Sequence, residues 1–136
     1  MSEIEKKKIV IIDDEEKFVK MIKVNLENDG NYEVITETDA QKGFEVVLKE
    51  RPALVILDVL MKEKRGPEIA YEIKQHPKIQ KTPIIFLTAT VDKKQTEAFA
   101  GLVGGSPMTI KPTIAKPVKT KDLIQLIESE ILAANE

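Results

Sequence analysis

The amino-acid sequence predicts an α/β protein with a doubly wound parallel sheet of five strands and helices on both faces. Three observations lead to this fold class. Short apolar runs rich in β-branched residues alternate with helical patterns, the runs are too short for core helices, and 136 residues suit one domain. Connections between parallel strands are right-handed and need a covering element, which places helices on both faces of the sheet. The expected strand order is 2-1-3-4-5, in which the switch point lies between strands 1 and 3. We expect a single domain over residues 1–136, with its core at about 7–133.

The first half of the chain is predicted to hold three strands and two helices. The strands are expected at residues 8–12, 32–37 and within 54–61. The last of these runs is apolar at nearly every position, which is typical of a central strand covered on both faces. The helices follow two apolar stripes: Phe18, Met21, Ile22 and Leu26, and then Ala40, Gly43, Phe44, Val47 and Leu48. Asp39 is predicted to cap the second helix.

The second half repeats the alternation. A helix is predicted to start at Gly66-Pro67, because proline is favoured in a first turn, and a fourth strand at residues 83–87. Residues 92–102 form a weak helical pattern, and a glycine-rich turn is expected at 101–107. The fifth strand is expected within residues 108–117. Thr120 is predicted to cap a last helix with its inner side at Leu123, Ile124, Leu126, Ile127 and Ile131.

Composition excludes several classes of function. The chain has 32% charged residues, no apolar run long enough to span a membrane and a polar start, so we expect a cytoplasmic protein without a membrane partner. A formal net charge of −2 argues against direct DNA binding. There is no cysteine, and a single histidine, His76, leaves no partner for a Ser-His-Asp triad or a histidine metal cluster.

Acidic residues follow two of the predicted strands. Asp13 and Asp14 come directly after the first strand, and Asp58 ends the apolar run of the third. In the order 2-1-3-4-5 the switch point lies between strands 1 and 3, so these carboxylates are expected to share one crevice. Each has an ordinary alternative. Asp58 could cap the following loop, and the acidic pair could cap a helix and interact with its dipole.

Carboxylates held a few ångströms apart repel by about 3 kcal/mol per pair at an effective dielectric constant near 20. A divalent cation would relieve that repulsion, and a ligand set of oxygen atoms alone favours Mg²⁺, with Mn²⁺ as the second candidate. A phosphoryl-transfer site also needs a hydroxyl and a cationic side chain. Thr88 and a lysine near the fifth strand offer them, although a β-branched residue such as Thr88 also ends strands without any role.

On these residues the chain resembles a response-regulator receiver domain of two-component signalling, over residues 7–133. The motifs that carry the resemblance are Asp13-Asp14, Asp58, Gly66, Thr88-Ala89 and Lys116-Pro117. The resemblance implies a flavodoxin-like fold and a phosphoacceptor that assists its own phosphorylation and dephosphorylation without being an enzyme. Its phosphodonor would be a phosphohistidine on a histidine kinase or a histidine phosphotransfer protein, and its output a contact with a downstream protein.

The resemblance also implies roles for individual residues. Asp58 would accept the phosphoryl group. Mg²⁺ would be held by Asp14, Asp58 and the backbone carbonyl of Leu60, with Asp13 assisting directly or through water. Thr88 and Lys116 would bind the phosphoryl oxygens, so that Asp58, Thr88 and Lys116 form the reacting set.

The chain departs from the family pattern at several positions. A second Lys-Pro pair begins at Lys111, but only Lys116 leads into the last helix, so we assign the role to Lys116 and expect an insertion at about 104–111 with Lys111 exposed. Many receivers have proline four positions after the phosphorylated aspartate, where this chain has Lys62. The aromatic residue usual three positions before the lysine is Thr113 here.

Two other functions stay open on the sequence. One is a receiver-like protein-interaction module that is never phosphorylated. The other is a Mg²⁺-dependent phosphohydrolase with an aspartyl nucleophile, although Asp13-Asp14-Glu15-Glu16 lacks the Asp-x-Asp spacing usual in such enzymes.

Overall fold

The computed structural model describes residues 5–89, 102–103, 106–107 and 112–136. The main sheet has five parallel strands: β1 (Lys7–Ile12), β2 (Tyr32–Glu37), β3 (Leu54–Asp58), β4 (Ile84–Thr88) and β7 (Thr113–Ala115). Their order is β2-β1-β3-β4-β7, and β5 (Leu102–Val103) and β6 (Ser106–Pro107) form a separate two-stranded sheet. The predicted fold class and strand order are confirmed, with β7 as the fifth strand of the parallel sheet.

The helices lie on both faces of this sheet. They are α1 (Glu16–Asn28), α2 (Gly43–Glu50), α3 (Gly66–Gln75) and α4 (Thr120–Ala134), with a 3₁₀ turn at Ala40–Lys42. Alternate residues of the central strands point to opposite faces. Ile9, Ile11, Leu54 and Ile56 pack with α1 and α4, whereas Val10, Ile12, Val55 and Leu57 pack with α2 and α3. No helix in the described parts of the chain is long and apolar enough to span a membrane.

The burial of the strands agrees with their order. All five residues of β3 and of β4 are buried, as expected for central strands. β2 is only partly buried and β7 has no fully buried residue, because each lies at an edge of the sheet. The apolar run that begins at Leu54 is therefore the middle of the core, as its composition predicts.

Several local predictions need correction. Met21 was expected in the buried stripe of α1, but it is 45% exposed and Val19 is buried instead, because the buried face follows the spacing 19, 22 and 26. Thr120 is the first residue of α4, and the preceding Lys119 occupies the cap position without a side-chain hydrogen bond. Asp39 does cap as predicted, since its carboxylate accepts the N–H of Gln41, but it caps the 3₁₀ turn rather than α2 itself.

The segment before β7 differs from expectation where it is described. Residues Leu102–Val103 (β5) and Ser106–Pro107 (β6) pair as two short antiparallel strands. The predicted helix at 92–102 lies outside the described residues except for Leu102, which is part of β5. Lys111 also lies outside them. Strands β5 and β6 fall in the part of the sequence where the glycine-rich turn and the insertion were placed.

Candidate functional site

The predicted site residues come together at the carboxyl edge of the sheet because four parallel strands end there. Asp13 follows β1, Asp58 ends β3, Thr88 ends β4 and Lys116 follows β7. Asp58 is in register with Leu87 on β4, and Thr88 is in register with Ala115 on β7. The N–H of Lys116 donates to the carbonyl of Thr88 at 2.8 Å, which fixes the lysine beside the end of β4.

Three carboxylates form the centre of this edge. One oxygen atom from each of Asp13, Asp14 and Asp58 lies within 4.8 Å of the other two. Asp13 is completely buried and Asp58 is 5% exposed, while Asp14 is partly exposed. At such distances like charges repel by about 3 kcal/mol per pair at an effective dielectric constant near 20. The cluster therefore favours either a bound cation or a shared proton.

The backbone N–H of Lys62 donates to Oδ2 of Asp14 at 3.1 Å. A proline at this position, as in many receivers, has no N–H and could not make this bond. The replacement noted in the sequence therefore adds a hydrogen-bond donor that orients one carboxylate of the cluster.

Lys116 supplies the positive charge of the site. Its Nζ lies 2.7 Å from Oδ2 of Asp13, 3.0 Å from Oε1 of Glu15 and 3.8 Å from Oδ2 of Asp58. The ammonium also lies 4.5 Å from the centre of the Phe18 ring, within the range of a cation–π interaction. The ammonium thus lies closer to Asp13 and Glu15 than to Asp58. The Lys116–Pro117 peptide bond is cis.

Asp13 Oδ1 accepts the N–H of Glu15 at 2.9 Å. Its other oxygen, Oδ2, is buried and has the Lys116 ammonium 2.7 Å away as its ionic partner. One ammonium lies near the carboxylates of Asp13 and Asp58, so the negative charge of the three-carboxylate cluster is only partly balanced. The remaining charge, together with the oxygen-only ligand set, fits a hard divalent cation such as Mg²⁺ held by Asp13, Asp14 and Asp58.

The surroundings raise the pKa of Asp58 to about 7. Burial is the main cause, and the negative charge of Asp13 adds to it, while Lys116 acts in the opposite direction. Partial burial alone would lower the pKa of Lys116, but its contacts with Asp13 and Glu15 and the charge of Asp58 raise it above the ordinary value. Lys116 therefore stays charged at neutral pH, whereas the Asp58 carboxylate is poised to gain or lose a proton there.

Gly66 allows the backbone at the start of α3 to lie very close to the end of β3. A Cβ atom at this position would lie 2.2 Å from the backbone carbonyl oxygen of Asp58, a distance that no side chain could occupy. The N–H of Gly66 donates to the carbonyl of Val59, and the N–H of Val59 donates to the carbonyl of Leu87. These contacts hold the start of α3 against the end of β3. Leu60 lies in this loop and is 46% exposed.

An open cavity of about 430 Å³ lies beside the carboxylate cluster. Its lining includes Asp14, Asp39, Met61, Lys62 and Glu63. Asp14 is thus partly exposed at this cavity, whereas Asp13 is completely buried.

Sequence reasoning missed two residues of the site. Glu15 stood only as one of four successive acids, and Phe18 was assigned to the apolar stripe of α1. Both contact Lys116 in the structure. The acidic run and the start of a helix were visible in the sequence, but nothing in it indicated that a lysine 101 positions further along would reach them.

Comparisons with known proteins identify the family of this chain. The family described as "Response regulator receiver domain" matches residues 9–128. The alkaline phosphatase synthesis transcriptional regulatory protein PhoP of Bacillus subtilis is 32% identical over 127 residues, which cover 93% of this chain and 51% of that protein. The response regulator ArlR of Staphylococcus saprophyticus is 34% identical over 122 residues, covering 90% of this chain and 51% of that protein.

A CheY-like response regulator receiver domain protein from Methanospirillum hungatei has the same fold, with a TM-score of 0.78 and 22% identity. The match covers 96% of this chain and 97% of that one. The chain belongs to the response regulator receiver domain family. It spans about half the length of the curated relatives it matches. Because one of these relatives is named a transcriptional regulator, the expectation that the protein does not bind DNA finds no support in the comparisons.

Proposed function

We propose that Asp58 accepts a phosphoryl group from a phosphohistidine on a histidine kinase or a histidine phosphotransfer protein. In this transfer the P–N bond of the donor breaks, a P–O bond to a carboxylate oxygen of Asp58 forms, and the histidine nitrogen keeps the electron pair. The observation that carries the proposal is the meeting of Asp58 with Asp13, Asp14 and Lys116 at one edge of the sheet.

In the proposed site, Asp14 and Asp58 would hold Mg²⁺ with the carbonyl of Leu60, and Asp13 would assist. The ion would neutralise charge that develops on the phosphoryl oxygens. Lys116 Nζ, now 3.8 Å from Oδ2 of Asp58, is close enough to pair with a phosphoryl oxygen placed there. Thr88 is buried at the end of the neighbouring strand and would donate its hydroxyl to another oxygen.

Phosphorylation would act as a two-state switch. It replaces a carboxylate by a group of nearly two negative charges, which would draw Thr88 and Lys116 towards Asp58. Because Lys116 directly follows β7 and Thr88 ends β4, this movement would change the surface near β7 for a downstream protein. We place this exchange in the cytoplasm, and we propose that the domain at residues 7–133 acts as a phosphoacceptor rather than a turnover enzyme.

Incubation with acetyl phosphate and Mg²⁺ tests the proposal. The expected result is one phosphoryl group per chain, stable in acid, labile to hydroxylamine and absent from the Asp58→Asn variant, as measured by intact mass. A chelator in place of Mg²⁺ should abolish the label, because the carboxylate cluster then has no cation to balance the incoming charge.

The same experiment separates the two other functions. Steady release of many phosphates per chain would favour an aspartyl phosphohydrolase. No label on a folded protein, with and without Mg²⁺, would favour an interaction module that is never phosphorylated. Label that persists in Asp58→Asn would place the acceptor elsewhere and contradict the proposal.

A further inference from the structure

Glu15 contacts the site but has no part in the phosphoryl transfer proposed above. Its backbone N–H donates to Asp13, which fixes the turn before α1. Its side chain is 60% exposed, yet its Oε1 lies 3.0 Å from Nζ of Lys116, whose side chain is only 11% exposed. A surface carboxylate therefore reaches inward to the one ammonium that the described residues place at the carboxylate cluster.

The contacts of Lys116 are unequal. Asp13 and Glu15 lie at 2.7 and 3.0 Å from its Nζ, and the Phe18 ring lies on the same side, whereas Asp58 is 3.8 Å away. The two shortest ion pairs of the ammonium are thus made with the turn before α1, and its ion pair with Asp58 is longer. To donate a hydrogen bond to a phosphoryl group on Asp58, Lys116 has to loosen its hydrogen bond to Glu15 or share the ammonium between the two.

We propose that Glu15 is a positioning residue that holds Lys116 in the unphosphorylated arrangement and weakens binding of a phosphoryl group at Asp58. This inference rests on the function proposed above. Two physical effects act in the same direction. The Glu15–Lys116 contact has to be loosened before the lysine can donate to the phosphoryl oxygens, and the Glu15 carboxylate repels the added negative charge at short range.

The expected size follows from the exposure of the pair. Contacts of this kind with one exposed partner are weak, so removal of the Glu15 charge should tighten binding of a phosphoryl group by about two- to fivefold. The effect should depend on contact with Lys116 and not on net charge alone. Glu16 provides the matched control, because it is the next residue, is also exposed and pairs with Lys20 at 3.0 Å instead.

Beryllofluoride, which mimics a phosphoryl group on a carboxylate, is the probe. Its affinity is measured by calorimetry in saturating Mg²⁺ for the wild type and for the Glu15→Gln, Glu16→Gln, Glu15→Asp and Asp58→Asn variants. Thermal unfolding of each ligand-free variant is measured alongside. We expect Glu15→Gln to bind about two- to fivefold more tightly than the wild type. Glu16→Gln should match the wild type, and Glu15→Asp, which keeps the charge but has a shorter reach, should lie between the two.

Other results would overturn the inference. Equal affinities of Glu15→Gln and Glu16→Gln would mean that the contact with Lys116 has no effect of its own, and weaker binding in Glu15→Gln would mean that Glu15 assists the site. If the wild type binds no beryllofluoride, or if binding survives in Asp58→Asn, the proposed function itself fails, which keeps the two failures distinguishable.

Discussion

Charged side chains are paired at the amino end of the parallel sheet, whereas negative charge is in excess at its carboxyl end. At the amino end, where β1 and β2 begin, Lys7 and Tyr32 both donate to the Glu128 carboxylate on α4, and Lys8 pairs with Glu50 of α2 at 3.2 Å. At the carboxyl end, Lys116 pairs with three carboxylates, those of Asp13, Glu15 and Asp58, and Asp14 adds a fourth carboxylate beside Asp13 and Asp58.

The paired charges at the amino end stabilise the fold, whereas the excess negative charge at the carboxyl end destabilises it and is explained by the proposed function. Opposite charges that pair at the amino end tie α2 and α4 to the sheet, with a small gain in stability because the pairs are partly exposed. The excess of negative charge at the carboxyl end costs stability in the free protein, since burial and like charges oppose the ionised form of Asp58. A site built to bind a cation and a phosphoryl group is expected to lower the stability of the ligand-free protein in this way.

The largest effect is expected at Asp58. In the absence of divalent cations, the Asp58→Asn variant should be more stable than the wild type at pH 8, by on the order of 1 to 4 kcal/mol, because burial and the charge of Asp13 raise the pKa of Asp58 to about 7. The folded state holds this proton more tightly than the unfolded state. The cost is therefore absent below about pH 4, develops between pH 4 and 7, and is complete above pH 7.

Urea unfolding of both proteins from pH 4 to pH 8 measures this effect, and saturating Mg²⁺ provides the control. The advantage of Asp58→Asn should fall towards zero near pH 4 and should also shrink when Mg²⁺ binds the wild type. A variant that is less stable than the wild type at pH 8, or an advantage that does not depend on pH, would contradict a destabilising charge at this end of the sheet.

A smaller effect of opposite sign is expected at the amino end. Tyr32→Phe removes the hydroxyl that donates to Glu128 and should lower the free energy of unfolding by about 1 kcal/mol at pH 7. Hydrogen bonds from Lys7 and, to a smaller extent, from Tyr32 lower the pKa of Glu128 in the folded protein. The stabilisation is therefore present above the unfolded pKa of Glu128, about 4.3, and is lost as the pH falls through the lower folded pKa.

Tyr71→Phe is the matched control for this prediction, because it makes the same chemical change on the partly buried face of α3. Urea unfolding at pH 7 should place Tyr71→Phe close to the wild type. If Tyr32→Phe also unfolds like the wild type, the contact between β2 and α4 adds nothing to stability, and the contrast between the two ends of the sheet is weaker than described.

The fold followed from the sequence wherever a pattern recurs over several residues. The apolar runs located the central strands within a residue or two, and the acids after two of these runs identified the edge where they meet. Met21 was assigned to the wrong face because two neighbouring stripes of α1 are both apolar, and burial depends on how the helix is rotated against the sheet.

The rest of the site depends on contacts between distant parts of the chain. In the sequence, Glu15 is an ordinary acidic residue at the start of a helix. Its contact with Lys116 exists only because the fold places the end of β7 beside it. The N–H of Lys62 is likewise present in any sequence without proline there, but its use by Asp14 depends on how the loop after β3 folds back. Residue types and their spacing identified the carboxylate cluster, whereas the side chains that orient it became visible only in three dimensions.

Calorimetric titration with Mg²⁺ at pH 8 tests the central claim most directly, because that claim is that the unbalanced carboxylates exist to hold a cation. We expect one ion per chain, binding weakened by about tenfold or more in Asp58→Asn, and unchanged binding in Glu16→Gln. An absence of binding to the folded wild type, or equal affinity in the wild type and Asp58→Asn, would contradict the account.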